Sequence, residues 1–202
     1  MSSRIITISR EFGSGGRTIG KAVAQRLKIP CYDQELIEKI ASETGFNVDY
    51  IKEQGEYAQH KSRFANAFAA RDRKGTSMQD HLWRMQYQII LNLAQKGACV
   101  IVGRCADYIL RDQAPVLSVF IHAGQGYRAK RIVEVYGERA ETPEKRVKDK
   151  DERRRAYYQH YTDMEWGNAS NYHIALDSGV LGLDTCTETI VQLYKAMETN
   201  QR

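Results

Sequence analysis

An α/β fold built on a parallel sheet is what this 202-residue sequence predicts. Three observations point there. Short β-branched runs alternate along the chain with longer segments of helical periodicity. The runs are nearly continuous in apolar residues, as strands are when both faces of a parallel sheet are covered. A glycine cluster at positions 13, 15 and 16 follows the first run and opens the first helix.

The first strand covers residues 4–9. Ile19, Val23 and Leu27, spaced by four, predict the first helix. Residues 29–32 read as a second short strand. Asp33 is placed either to cap the next helix, whose apolar face is Leu36, Ile37 and Ile40, or to contact a ligand. Residues 45–76 leave helix and irregular chain equally open. A long helix over 77–96 directs Leu82, Met85, Ile89 and Leu93 inward, with Trp83 beside them, and Gly97 stops it. Strands over 99–102 and 116–121, helices over 124–137 and 142–162, a strand over 171–176 and a helix over 185–197 complete the alternation. Ligands in such folds bind beyond the carboxyl ends of the strands. That rule selects residues 10–18, 32–33, 103–104 and 122–123.

Composition narrows the class. With 42% hydrophobic and 27% charged residues and 3 prolines, the chain is ordinary globular protein around one core. No apolar run approaches the roughly 20 residues that span a bilayer, and the first residues lack the apolar stretch of a signal peptide. No membrane partner is therefore expected. Cys31, Cys99, Cys105 and Cys186 form no CxxC pair, and the five histidines show no metal-ligand spacing. Free thiols used as small core residues fit a reducing cytoplasm.

The net charge of +5 is concentrated. Residues 128–155 hold 11 Lys/Arg against 7 Asp/Glu. One basic segment on a near-neutral body predicts a local anion site rather than a nucleic-acid coat. As a helix it aligns Arg146, Lys150, Arg153 and Tyr157 on one face and Lys148, Glu152 and Arg155 on another. Asp149 and Asp151 can separate and orient the guanidinium groups. Of the run Arg153-Arg154-Arg155, not all three can face one ligand, and Arg153 is the preferred one.

The segment from Ser9 to Thr18 joins a strand to a helix, where a phosphate-binding loop must lie. Set against GxxxxGK[ST], Gly16 takes the second glycine position and Thr18 the hydroxyl. Arg17 replaces the lysine and Glu11 the first glycine. Arg17 can neutralise phosphate as a planar fork, and Thr18 can hold Mg²⁺ through its hydroxyl. Lys21, one turn on, points along the helix. Arg104, charged and directly after an apolar strand, is expected to be an anion ligand rather than a buried ion pair.

With these residues in view, the chain resembles the cytidylate kinase-like branch of the P-loop nucleoside monophosphate kinases. The resemblance is carried by Ile-Thr-Ile-Ser-Arg-Glu-Phe-Gly-Ser-Gly-Gly-Arg up to Arg17, Pro-Cys-Tyr-Asp-Gln-Glu-Leu-Ile up to Ile37, Val-Ile-Val-Gly-Arg up to Arg104, and Lys150-Asp151-Glu152-Arg153. It implies a single P-loop domain, a three-layer sandwich on a parallel, about five-stranded sheet. Its core would span residues 1–44, 97–140 and 164–202, with an acceptor-binding helical insertion at about 45–96 and a hinged basic lid at about 141–163. It implies transfer of phosphoryl from ATP, with Mg²⁺, to a nucleoside monophosphate, CMP or dCMP foremost. Partners would be small-molecule nucleotides. By the same resemblance Gly13, Ser14, Gly15, Gly16, Arg17 and Thr18 hold donor phosphates, Asp33, Arg84 and Arg104 face the acceptor, and Arg153 with Asp151 closes over the phosphates. Orthodox members have lysine for Arg17, aspartate for Cys105 and a Tyr-Arg pair near Glu38-Lys39. The last two changes remove acceptor contacts. They keep open a same-fold kinase for another small acceptor, while Glu11 and Arg17 in the loop keep open an ATP-binding regulator without turnover.

Overall fold

The computed structural model describes residues 4–33 and 78–199, with positions 38, 42 and 45 between them. Strands Ile5–Arg10 (β1), Cys31–Tyr32 (β2), Cys99–Val102 (β3), Val116–His122 (β4) and Ile174–Asp177 (β5) form one sheet in the order β2-β3-β1-β4-β5. Every neighbouring pair is parallel, with Ile8 opposite Val102 on one side and Val119 on the other. The chain leaves β1 toward β2, returns through β3, and crosses to β4 on the far side. The crevice at such a reversal lies at the carboxyl end of β1, between β3 and β4.

The helices are Gly16–Leu27 (α1), Met78–Lys96 (α2), Ala106–Leu110 (α3), Gln125–Tyr136 (α4), Pro143–Thr162 (α5), Ser178–Leu181 (α6) and Leu183–Thr199 (α7). Side chains alternate between faces along each strand, so one sheet serves two cores. Ile6, Ile8, Val100, Val102, Leu117, Val119 and Ile121 pack on α1 and α7, against Ile19, Val23, Ile190 and Val191. Ile5 and Ile101 face α2 and α3, against Ile89, Ile90, Leu93 and Ile109. The two helical layers with the sheet between them are the expected three-layer sandwich.

Boundaries shift by up to three residues from the sequence reading, and the core of α2 shifts more informatively. Leu82, Ile89 and Leu93 are buried as expected, but Met85 is only half-buried and Gln86 is fully buried in its place. Positions 82, 86, 89 and 93 are the straighter helical stripe. A polar residue in that stripe hides it from a hydrophobicity pattern. The proposed capping role of Asp33 and the segment 46–77 lie outside the described residues. All four cysteines are free, and burial, with Cys31 nearby, pushes the Cys99 thiol up to about 12, as suits a core residue. Among the described residues, no helix is long and apolar enough to cross a membrane, and no cluster of three or more His, Cys, Asp or Glu is placed to hold a metal.

Candidate active site

β1 ends at Arg10 and α1 begins at Gly16, so residues 11–15 make the turn in the crevice. Gly15 caps α1 in the left-handed conformation, with φ 83°, and the first turn contains no acidic residue. The first N–H groups of a helix have no intrahelical partner, and its dipole is positive there. This end of α1 is therefore open to an anion.

The outer rim of the loop is held by side chains from distant parts of the chain. Ser14 Oγ donates to carbonyls of Glu11 (2.9 Å) and Ile121 (3.1 Å), and Ser178 Oγ donates to Ser14 O at 2.6 Å. The Glu11 carboxylate accepts the Ala123 N–H at 3.0 Å and lies 3.2 Å from Arg128. Glu11 is thus a strut. Arg128 also donates to the carbonyls of Ala123 (2.8 Å) and Phe12 (3.2 Å) and pairs with Asp151. Asp151 in turn accepts the Phe12 N–H at 2.7 Å. Arg154 donates to Arg10 O at 3.0 Å and lies over the Phe12 ring at 5.8 Å. Glu11, Arg128, Asp151 and Arg154 form a two-plus, two-minus cluster that fixes the backbone of residues 10–12.

The structure brings Asp151 to the loop but not Arg153. Arg153 is exposed, and the neighbour beside Asp151 is the buried Arg154. Consecutive helix positions differ by about 100°. The inward stripe of α5 is Val147, Asp151, Arg154, Tyr158 and Thr162, all buried. Val147, the one large aliphatic residue of α5, is the available signal for this face.

Arg17 pairs with the buried Asp33 at the end of β2. Burial opposes the Arg17 charge, but the hydrogen bond and charge of Asp33, with Tyr136 adjacent, outweigh this and raise its pKa further. Two predicted residues, one assigned to each substrate, are therefore joined. Thr18 is exposed, and its hydroxyl accepts from Arg131 at 3.0 Å. Arg84 stands on the exposed face of α2.

Arg104 is the most unusual of the predicted residues. Gly103, Arg104 and Cys105 have successive φ values of 77°, 63° and 54°. Two non-glycine residues in this region cost of order 1 kcal/mol or more each and persist only where surroundings enforce them. Gln86 does so. Its amide nitrogen donates to Arg104 O (3.1 Å) and Tyr157 Oη (3.3 Å), and its oxygen accepts from Arg104 Nη1 at 3.4 Å. Gln86→Leu is expected to cost about 1–3 kcal/mol by leaving buried polar groups unsatisfied. A urea melt showing wild-type stability would refute that role. Below Arg104, burial pushes the Asp107 carboxyl above the usual carboxylate range, against hydrogen bonds from Tyr158 (2.7 Å) and Ser9 (3.4 Å). Asp107 thereby links the root of the loop to α5. Trp83 stacks on Tyr161 at 4.4 Å, so the tyrosines of α5 pack the helix down on α2.

Against known families, residues 5–180 match the model of the cytidylate kinase-like family. The chain belongs to that family. Among solved structures, an uncharacterized protein from Eubacterium ventriosum ATCC 27560 is 28% identical with a TM-score of 0.70, over 94% of this chain and 96% of that one. A gluconokinase from Sinorhizobium meliloti 1021 is 15% identical with a TM-score of 0.56, over 99% and 98%. A shikimate kinase from Bacteroides thetaiotaomicron is 14% identical with a TM-score of 0.54, over 96% and 99%. The latter two likenesses show the shared P-loop kinase fold alone. Comparison with curated proteins gives no match. The cytidylate kinase-like family and the P-loop kinase fold together support a phosphotransferase.

Proposed function

We propose that this chain transfers the terminal phosphoryl group of ATP to a nucleoside monophosphate, with CMP or dCMP as the first acceptors to test, in the cytoplasm. The observation that supports this most is the loop at 11–15, with its left-handed Gly15, its acid-free helix start and Arg17 beside it. Donor phosphates would lie on the N–H groups of residues 13–18. Thr18 offers one hard, exposed hydroxyl oxygen, which suits Mg²⁺, an ion that keeps several waters and takes few protein ligands. Bound there, the ion would offset the negative charge of the donor phosphates.

An acceptor phosphate oxygen attacks the γ-phosphorus, the bond to the β–γ bridging oxygen breaks, and ADP leaves. The protein's task is to place the reactants and to balance charge spreading over the transferred group. Arg17, held by Asp33, would stand between donor and acceptor and stabilise that charge. Arg104, fixed by Gln86, would orient the acceptor phosphate with Arg84. Asp151 positions the loop, and the aromatic inner face of α5 excludes water. ADP release measured with ATP, Mg²⁺ and each common nucleoside monophosphate tests the reading. One acceptor should raise turnover at least about tenfold over the ATP-only rate, equivalent to about 1.4 kcal/mol of barrier. Stimulation by none would overturn it.

Cys105 supports a second reading. It is buried among Phe120, Tyr157 and Tyr158 and offers no carboxylate where orthodox members carry one. A small hydroxylated or phosphorylated acceptor, hydroxy acids among them, would then be the class to test. Adding such acids to the same assay separates the two.

A further inference from the structure

We propose that Arg10, the last residue of β1, supplies the cation for the donor phosphates, from the place where a phosphate loop ordinarily has its first glycine. The proposal rests on the phosphotransferase reading and names a residue within it that the sequence pattern passes over.

The backbone resets the register of the motif. A loop of the form strand–GxxxxGK–helix has six steps from its first glycine to its lysine. Here the strand ends at residue 10, the left-handed glycine that opens the helix is Gly15, and the first helical residue is Gly16. In that register position 10 is the glycine site and position 16 the lysine site. The chain carries Arg10 and Gly16, so the two residue types are exchanged.

Stereochemistry makes the exchange reciprocal. A Cβ built on Gly16 would stand 2.5 Å from Arg10 Cβ and 2.9 Å from Arg10 Cγ. Real Cβ atoms do not approach other atoms so closely, and the near atoms belong to the stem of Arg10 rather than to its flexible end. Side chains from positions 10 and 16 therefore start from the same point over the start of α1, and only one can be present. The backbone of Arg10 is fixed by its place opposite Ile121 and by the buried Arg154 on its carbonyl. Arg17 lies one residue further, about 100° around the helix, and its guanidinium is engaged by Asp33.

The test measures ATP binding directly by calorimetry, with a thermal melt of each variant. Wild-type protein should bind ATP more tightly than AMP. Arg10→Gln keeps the stem over Gly16 and removes only the charge. It should weaken ATP binding about 10- to 100-fold, the range expected for a lost charge-assisted hydrogen bond, with little change for AMP. Arg17→Ala should reduce ATP affinity less. Gly16→Lys alone should lose ATP binding through the clash. The exchange Arg10→Gly with Gly16→Lys should recover at least about tenfold over Arg10→Gly. Unchanged ATP affinity in Arg10→Gln overturns the proposal and leaves the phosphotransferase reading standing. So does a folded exchange variant that binds no better than Arg10→Gly. No ATP binding by wild type overturns both.

Discussion

Asp151→Ala is expected to lower stability by about 3–5 kcal/mol, because it leaves two buried guanidinium groups, Arg128 and Arg154, against the single carboxylate of Glu11. For a chain of this size each kcal/mol is worth about 2–4 °C in melting temperature, so a fall of roughly 6–20 °C should appear in a thermal scan. The same change frees the Phe12 N–H, which Asp151 holds at 2.7 Å. Turnover should therefore fall further than the folded fraction does. A double variant separates the two effects. Replacing a buried pair with apolar residues of similar volume is often neutral. Arg128→Met with Asp151→Leu should thus regain much of the lost stability and little of the activity. If the double variant regains both, the brace on the loop is incidental to the reaction. If Asp151→Ala melts like wild type, the cluster contributes nothing to the fold.

Gly13→Ala is the second large effect. Gly13 has φ 84°, and a Cβ there would lie 2.7 Å from Arg128 O and 2.9 Å from Ile132 Cγ2. The left-handed conformation alone costs an alanine about 1–2 kcal/mol. The contact with Arg128 O is worse, because that carbonyl belongs to α4 and cannot move without the helix. The loop must shift instead, and with it every N–H that would face a phosphate. ATP affinity should fall by two orders of magnitude or more, or about 2.7 kcal/mol. Gly137→Ala is the control: it shares a left-handed φ of 74° but has nothing within 4 Å of its would-be Cβ. Equal behaviour of the two variants, in melting temperature and in ATP titration, would refute the steric argument.

Local pattern made much of this molecule readable. Strand runs such as 99–102 and 116–121 needed only their β-branched, continuous apolar character, because a doubly covered parallel strand allows little else. The loop was marked by its glycines between a strand and a helix. Reading failed where a side chain's role is set by something far away in sequence. Gln86 looks like a surface residue until Arg104 and Tyr157 surround it. Arg128 and Glu11 are 117 positions apart in spirit as well as in chain order only until the sheet folds, when Glu11 receives Ala123 and Arg128 together. Arg153 and Arg154 are hard to tell apart in the sequence, because a charge-rich helix has almost no apolar landmarks to show its inner face. Spacing to Thr18 is visible in the sequence, whereas the φ of Gly15, on which the second register rests, is not.

The braces of the loop also bear on how the chain is made. Residues 10–14 leave the ribosome well before their supports, Ile121, Ala123, Arg128, Asp151, Arg154 and Ser178. Such distant pairings are paid for in loop-closure entropy before they return any stability. The glycine-rich turn is thus finished only after residue 178 has emerged. A truncated or stalled chain would display the segment without its nucleotide-binding shape, and an incomplete copy could not compete with the finished protein for its ligand.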